Sequence, residues 1–162
     1  MVNRKLFMAT AAIATVVTAA CSDTTAPGQT PGDVSFARSG TFQVVKNCSS
    51  YQGQAQQSCT ITSSTLNQLR PGSTITYTSG VGADGILITA IVVDGADQGN
   101  NVAYGHCTVD LRFGTPGYGT GVCDLTDGTG KFQGIHTHAN VNPLLPFEDL
   151  NFEWVGSYSF SK

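Results

Sequence analysis

The chain of 162 residues carries 8 Lys or Arg and 11 Asp or Glu residues, which gives a formal net charge of −3 at pH 7. No basic cluster is present, which argues against nucleic acid or an anionic membrane surface as a binding partner. The length fits one domain behind an N-terminal export segment and leaves no room for a second core.

Residues 1–20 have the layout of a bacterial lipoprotein signal peptide. Residues 3–5 are polar and basic, residues 6–17 form an almost unbroken apolar run, and small residues lead up to Cys21. About a dozen apolar residues suit a signal peptide and are too few for a membrane-spanning helix. We expect a lipid on the Cys21 thiol to anchor the protein in the cell envelope, at the outer membrane because serine rather than aspartate follows the cysteine.

An ordinary secretory signal is the alternative, because Thr18 stands where lipoprotein signals usually have leucine. Cleavage after Ala20 would then give a secreted protein with a free Cys21. The lipoprotein is favoured by residues 21–39, which are rich in Thr, Pro, Gly and Ser and poor in apolar residues. Such a segment cannot bury enough surface to order itself and is typical of a flexible linker between an anchor and a folded domain. The folded domain is expected over residues 40–162.

This domain is predicted to be all β-structure, because short apolar or alternating segments recur between turns that contain glycine and proline. Leu66 and Leu69, which Pro71 and Gly72 follow, indicate at most one or two turns of helix. Strands at this spacing close into a barrel or stack as a sandwich, and we expect a single small antiparallel β-barrel of about eight strands. The strands are predicted at residues 41–46, 59–62, 73–79, 86–93, 102–113, 118–126, 131–141 and 152–160.

Residues 86–93 (ILITAIVV) are apolar on both faces of their predicted strand. A strand of this kind is central in a sheet or is covered on its outer side. A covering loop and a subunit interface would suit it equally, so the sequence leaves the oligomeric state open.

Four cysteines remain when Cys21 is set aside, an even number that suits disulfides in an oxidising compartment. Folding the predicted hairpin places Cys107 opposite Cys123, within reach of a disulfide. Cys48 and Cys59 flank a polar loop that their bridge would close, and each bridge should add roughly 2–3 kcal/mol. The alternative, a four-cysteine zinc site, lacks a C-x-x-C pair, and we predict neither a metal nor another cofactor.

Residues 120–135 (TGVCDLTDGTGKFQGI) and 152–160 (FEWVGSYSF) resemble a family of small secreted bacterial β-barrel proteins. The shared features are a G-T-G-K/R-F/Y-x-G signature and a closing aromatic strand, and the family is similar to the allene oxide cyclase and dirigent type of barrel. The resemblance implies a fold rather than an activity, since members with this signature are mostly of unknown activity. It also implies that Phe132 packs inward and that Trp154 and Tyr158 fill the barrel or close one end. No catalytic residue of the cyclases matches a position in this chain.

The chain departs from that family pattern at two histidines. His136 and His138 fall on one face of a strand, about 7 Å apart, where they could share a metal ion. His106 would add a third ligand if the neighbouring strands fall in register, and Asp110 or Glu148 could supply a carboxylate. Because spacing fixes no third ligand, we expect both histidines to lie on the solvent face, with the intervening residues turned inward.

Aromatic and imidazole side chains are the candidate ligand-binding groups. Four tyrosines could line a sugar or lipid cavity, although such residues more often fill a barrel or lie on its surface. These tyrosines are Tyr51, Tyr77, Tyr104 and Tyr118. The candidate ligand-binding residues are Tyr104, His106, His136 and His138.

Two classes of function stay open, because no nucleophile elbow, zinc-protease motif or phosphate-binding glycine loop is present. The first is a membrane-tethered binding or structural module whose barrel holds a small apolar ligand or none. The second is a cyclase or isomerase that folds a flexible substrate in a hydrophobic cavity. A cavity of roughly 300 Å³ or more with histidine or carboxylate groups in it would indicate the enzyme, and a barrel packed solid would indicate a structural module. We favour the module, because the histidine pair has no convincing acid or base partner.

Overall fold

The computed structural model describes residues 38–97 and 100–161. Within these residues eight strands form one closed barrel, in which each strand pairs antiparallel with the next and the last pairs with the first. The all-β antiparallel barrel predicted from the sequence is therefore confirmed. The strands are β1 (Ser39–Asn47), β2 (Gln57–Ser64), β3 (Thr74–Tyr77), β4 (Ile86–Asp94), β5 (Val102–Asp110), β6 (Gly121–Gly128), β7 (Ile135–Pro143) and β8 (Asn151–Phe160).

The predicted signal peptide at residues 1–20, the lipidation site Cys21 and the predicted linker up to residue 37 lie outside the described residues. The first strand begins at Ser39, one residue before the domain boundary expected from the sequence. In the part of the chain that the structure describes, no helix has the length and hydropathy needed to cross a membrane.

Alternation of side chains decides which residues enter the barrel. In β7 the residues Ile135, Thr137 and Ala139 are buried, while His136 and His138 between them are exposed. This is the period-two pattern of a strand with one face toward a core. Both histidines therefore lie on the outer face of the barrel, as the alternation predicted.

Several strands are shorter than their sequence pattern suggested, and β5 and β7 show why. The strand expected over residues 102–113 ends at Asp110, whose carboxylate accepts hydrogen bonds from the Arg112 backbone N–H at 2.9 Å and from its guanidinium. These contacts turn the chain away from the sheet and leave Phe113 85% exposed. The strand expected over residues 131–141 begins only at Ile135, because a short 3-10 helix occupies Gly130–Phe132.

One end of the barrel, where β2, β4, β6 and β8 finish, is filled with apolar side chains and is called the packed end. The 3-10 helix buries Phe132 completely, as the family resemblance implied. Leu66 and Leu69, for which at most one or two turns of helix were expected, belong to no helix. They lie in a hydrogen-bonded turn, with the Leu69 N–H donating to the Leu66 carbonyl at 2.9 Å, and both are buried against the core.

The opposite end, where β1, β3, β5 and β7 finish, is called the cavity end. Cys48 and Cys59 form a disulfide there, with their Cα atoms 4.3 Å apart. A second disulfide joins Cys107 to Cys123, which lie directly opposite each other on β5 and β6 with Cα atoms 4.1 Å apart. The pairing expected from the hairpin is the pairing that the structure contains.

The outer face of β4 is apolar and open to solvent. Ile88 is 70% exposed, and Ala90 beside it is also exposed. No loop or helix in the described part of the chain covers this strand, so the covering loop considered from the sequence does not explain its two-sided apolar character.

Candidate functional site

At its cavity end the barrel contains a partly open cavity of about 370 Å³. Its lining is largely apolar, and every strand of the barrel except β6 contributes a residue to it. Volumes of 300–1,000 Å³ are typical of small-molecule sites, and apolar walls with a few polar groups are their usual composition. The apolar part of the lining includes Val81, Leu87, Val109, Leu111, Val141 and Phe152.

The loop between β1 and β2 forms one side of this cavity with Tyr51, Gln52 and Gly53. The Cys48–Cys59 disulfide closes the loop at its base. The Gln57 side-chain oxygen accepts the Gln52 backbone N–H at 2.6 Å, and the Gly53 carbonyl accepts the Val81 N–H at 2.9 Å. These covalent and hydrogen-bonded contacts hold the loop against the barrel.

Among the described residues, Lys46 is the only one with a cationic side chain that lines the cavity. It is 2% exposed, because β1 directs Phe42, Val44 and Lys46 to the same inward face. Its Nζ donates a hydrogen bond to the Tyr77 hydroxyl at 2.6 Å and lies 4.6 Å from the centre of the Trp154 ring. A cation over the face of an indole is attracted by the ring quadrupole.

Burial changes the acid–base behaviour of the groups in the cavity wall. Loss of hydration disfavours the ammonium form and lowers the pKa of Lys46 to about 7. Burial likewise raises the pKa values of Tyr51 and Tyr77 above the usual value of a phenol, so both stay protonated. At neutral pH the cavity therefore contains neutral hydroxyl groups and one amine that changes its charge near pH 7.

Two buried side-chain polar atoms lack hydrogen-bond partners among the described residues, the Tyr51 hydroxyl and the Trp154 indole N–H. Burying such a group without a partner costs free energy, typically about 1–3 kcal/mol. Tyr51 lines the cavity and its ring lies 4.9 Å from that of Tyr77. The cavity wall thus combines an unsatisfied hydroxyl with a lysine that, in its ammonium form, has two unused donor protons.

The ligand-binding candidates chosen from the sequence lie elsewhere. Tyr104, His106, His136 and His138 are all on the outer face of the barrel, and none of them lines the cavity. Of the four tyrosines considered from the sequence, Tyr51, Tyr77 and Tyr118 line the cavity, and Tyr104 points outward.

On the outer face, Asp124 links two of the three histidines. Its carboxylate lies 2.8 Å from His138 Nδ1 and 3.3 Å from His106 Nε2. His138 is therefore joined to His106 across β6 rather than to His136 on its own strand. In the described ranges no three His, Cys, Asp or Glu side chains are grouped so that they could hold a metal ion. Asp110, one of the carboxylates considered for such a site, pairs with Arg112 instead.

Replacing His136 and His138 together with asparagine should change the free energy of unfolding by less than about 1 kcal/mol, because exposed polar pairs contribute little. Thr137→Val between them is the contrasting variant. It removes the buried hydroxyl that accepts the Leu125 N–H at 2.9 Å and should cost about 1–3 kcal/mol. Chemical denaturation measures both. Stoichiometric zinc or copper in the purified protein, lost in the double variant, would contradict this prediction.

Lys46 was not among the residues singled out from the sequence. The signal was present, because the alternation of TFQVVK places residue 46 on the face of Phe42 and Val44. Lysine is almost never fully buried, however, so a strand ending in lysine is normally interpreted as reaching solvent there.

Searches against protein-family models, curated proteins and solved structures found no match to this chain.

Proposed function

We propose that the protein is a membrane-tethered binding module whose barrel holds a small, largely apolar molecule. The observation that carries this proposal is the cavity of about 370 Å³ with its mainly apolar lining. At roughly 30 Å³ for each water in the liquid, it has room for about a dozen waters, or for a ligand with a similar number of non-hydrogen atoms. A barrel with a purely structural role would gain stability by filling this volume.

The alternative function, a cyclase or isomerase, needs an acid or a base placed against the substrate. Neither histidine nor a carboxylate lines the cavity within the described residues. Among the described residues of the lining, Lys46 is the one group with a pKa near 7 and could serve as such an acid or base, so the cyclase or isomerase stays the alternative to binding.

We also propose that this chain is related to barrels of the allene oxide cyclase and dirigent type. Two observations support this relationship: the closed antiparallel barrel and the backbone conformation of the glycine signature. Gly130 and Gly134 have φ values of +58° and +71°, which favour glycine, and Phe132 between them is fully buried.

The tether rests on the sequence of the N-terminal segment. Mass spectrometry of the mature protein from its membrane fraction is expected to find a diacylglyceryl group on Cys21 as the first residue. A mature chain that begins at an unmodified Cys21, or at another residue, would mean that the protein is released rather than anchored.

Blocking the cavity tests the binding proposal. Val141 is buried and lines the cavity, so Val141→Trp should weaken binding of a probe such as 1-decanol or decanoate by about tenfold or more. Val155→Trp is the matched control, because Val155 lies on the outer face of the neighbouring strand and is 40% exposed. Calorimetric titration of both variants provides the measurement. Equal affinity of the two variants, or no binding of either probe by the unmodified protein, would contradict the proposal.

A further inference from the structure

The buried position of Lys46 indicates which chemical group the ligand contains. The side chain is buried in the wall of a largely apolar cavity, and no Asp or Glu lines that cavity within the described residues. Its hydrogen-bond partner is the neutral Tyr77 hydroxyl. A buried ammonium group is costly unless it has an ionic partner and its remaining protons are hydrogen-bonded.

We infer that the ligand of the barrel carries a carboxylate, which pairs with the Lys46 ammonium group inside the cavity. The inference rests on the proposed binding function and adds the ligand class to it. The carboxylate supplies the ionic partner that the described residues do not provide, and its two oxygens accept the protons that Tyr77 leaves free.

A single negative charge fits this cavity better than a larger one. One ammonium group balances one carboxylate, whereas a phosphate monoester with a charge of about −1.5 to −2 would bring an excess negative charge into an apolar space. The Tyr51 hydroxyl, which has no hydrogen-bond partner among the described residues, is a further neutral donor beside the same cavity. The apolar walls accept the rest of the molecule, so the ligand class is a monocarboxylic acid with an aliphatic or aromatic body.

Binding of such an acid should be coupled to proton uptake. The other titratable groups that line the cavity are the phenols of Tyr51, Tyr77 and Tyr118, since the thiols of Cys48 and Cys59 are joined in a disulfide. Lys46 is largely neutral at pH 8.5 because its pKa is lowered to about 7, and a bound carboxylate favours its charged form. About one proton should therefore be taken up for each acid that binds.

The experiment compares decanoate with 1-decanol at pH 8.5 by calorimetry in two buffers with different ionisation enthalpies. Decanoate binding to the unmodified protein should take up about one proton, and 1-decanol binding should take up none. In Lys46→Met the affinity for decanoate relative to 1-decanol should fall by about 100-fold, as expected when a buried charge loses its partner. Lys131→Met is the matched control and should leave the ratio unchanged, because Lys131 pairs with Asp97 and does not line the cavity.

The possible results distinguish the carboxylate assignment from the binding function on which it rests. An unchanged decanoate-to-decanol ratio in Lys46→Met, or decanoate binding without proton uptake, would overturn the carboxylate assignment and leave a binding module for neutral ligands. Failure of both probes to bind the unmodified protein would overturn the binding function together with the inference. The uptake measurement uses the unmodified protein, so it tests the inference even if Lys46→Met does not fold.

Discussion

Replacing Lys46 with methionine is expected to stabilise the ligand-free protein at pH 7 by on the order of 4 kcal/mol. Methionine has a similar length and flexibility, contacts the same aromatic rings and needs no hydration. The lysine must instead give up most of its hydration to occupy a position that is 2% exposed. Chemical denaturation at fixed pH measures the difference.

The pH dependence of this gain follows from the lowered pKa of Lys46. The pKa is 10.5 for a lysine exposed to water, as in the unfolded chain, and about 7 in the folded protein. Between these values the unfolded chain binds more protons than the folded one, so the free energy of unfolding rises as the pH increases from 7 toward 10.5. Below pH 7 both states carry the proton, and Lys46 adds no further slope. Lys46→Met should abolish the rise.

Lys131 offers the matched control for this experiment. It is only partly buried and pairs with Asp97, so Lys131→Met should change the stability by about 1 kcal/mol or less and should leave the rise with pH in place. A destabilised Lys46→Met protein, or one that keeps the rise between pH 7 and 10.5, would mean that the amine is better solvated than its burial indicates.

Removing the Cys48–Cys59 disulfide is expected to have the second large effect on stability. Replacing both cysteines with alanine should lower the free energy of unfolding by about 3 kcal/mol, because the bridge no longer restricts the unfolded chain. It should also weaken decanoate binding, since the loop that the bridge closes contributes Tyr51, Gln52 and Gly53 to the cavity wall. Denaturation and calorimetry measure the two effects separately.

The other disulfide provides a control of similar size. Replacing Cys107 and Cys123 with alanine removes a bridge with a sequence separation of 16 instead of 11 and should cost a similar amount of stability, about 3 kcal/mol. Neither of these residues lines the cavity, so decanoate affinity should be unchanged. Equal losses of affinity in the two double variants would contradict the assigned role of the β1–β2 loop.

Lys46 has opposite effects on ligand affinity and on the stability of the ligand-free protein. The amine destabilises the empty barrel and binds the proposed carboxylate through the same charge. A binding site that costs stability in the absence of its ligand is common in proteins. The carboxylate ligand should therefore raise the melting temperature of the unmodified protein, because it binds the folded state and relief of the buried charge contributes to its affinity.

The amino-acid sequence was sufficient to predict those features that depend on residues close together in the chain. Alternation in β7 predicts that His136 and His138 face outward, and the β5–β6 hairpin predicts that Cys107 meets Cys123. Both follow from the two-residue period of a strand and from the turn that joins two strands. The all-β class and the approximate number of strands follow from the same patterns.

The tertiary structure alone decided which residues form the site. Closure of the barrel pairs β1 with β8, bringing Lys46 opposite Phe152, more than a hundred residues away in the chain, and near Trp154. No local pattern specifies that contact, and the usual exposure of lysine argues against it. The same closure leaves one end packed and the other hollow, because side-chain volumes from eight separate strands must fill a shared interior and at the cavity end they do not fill it.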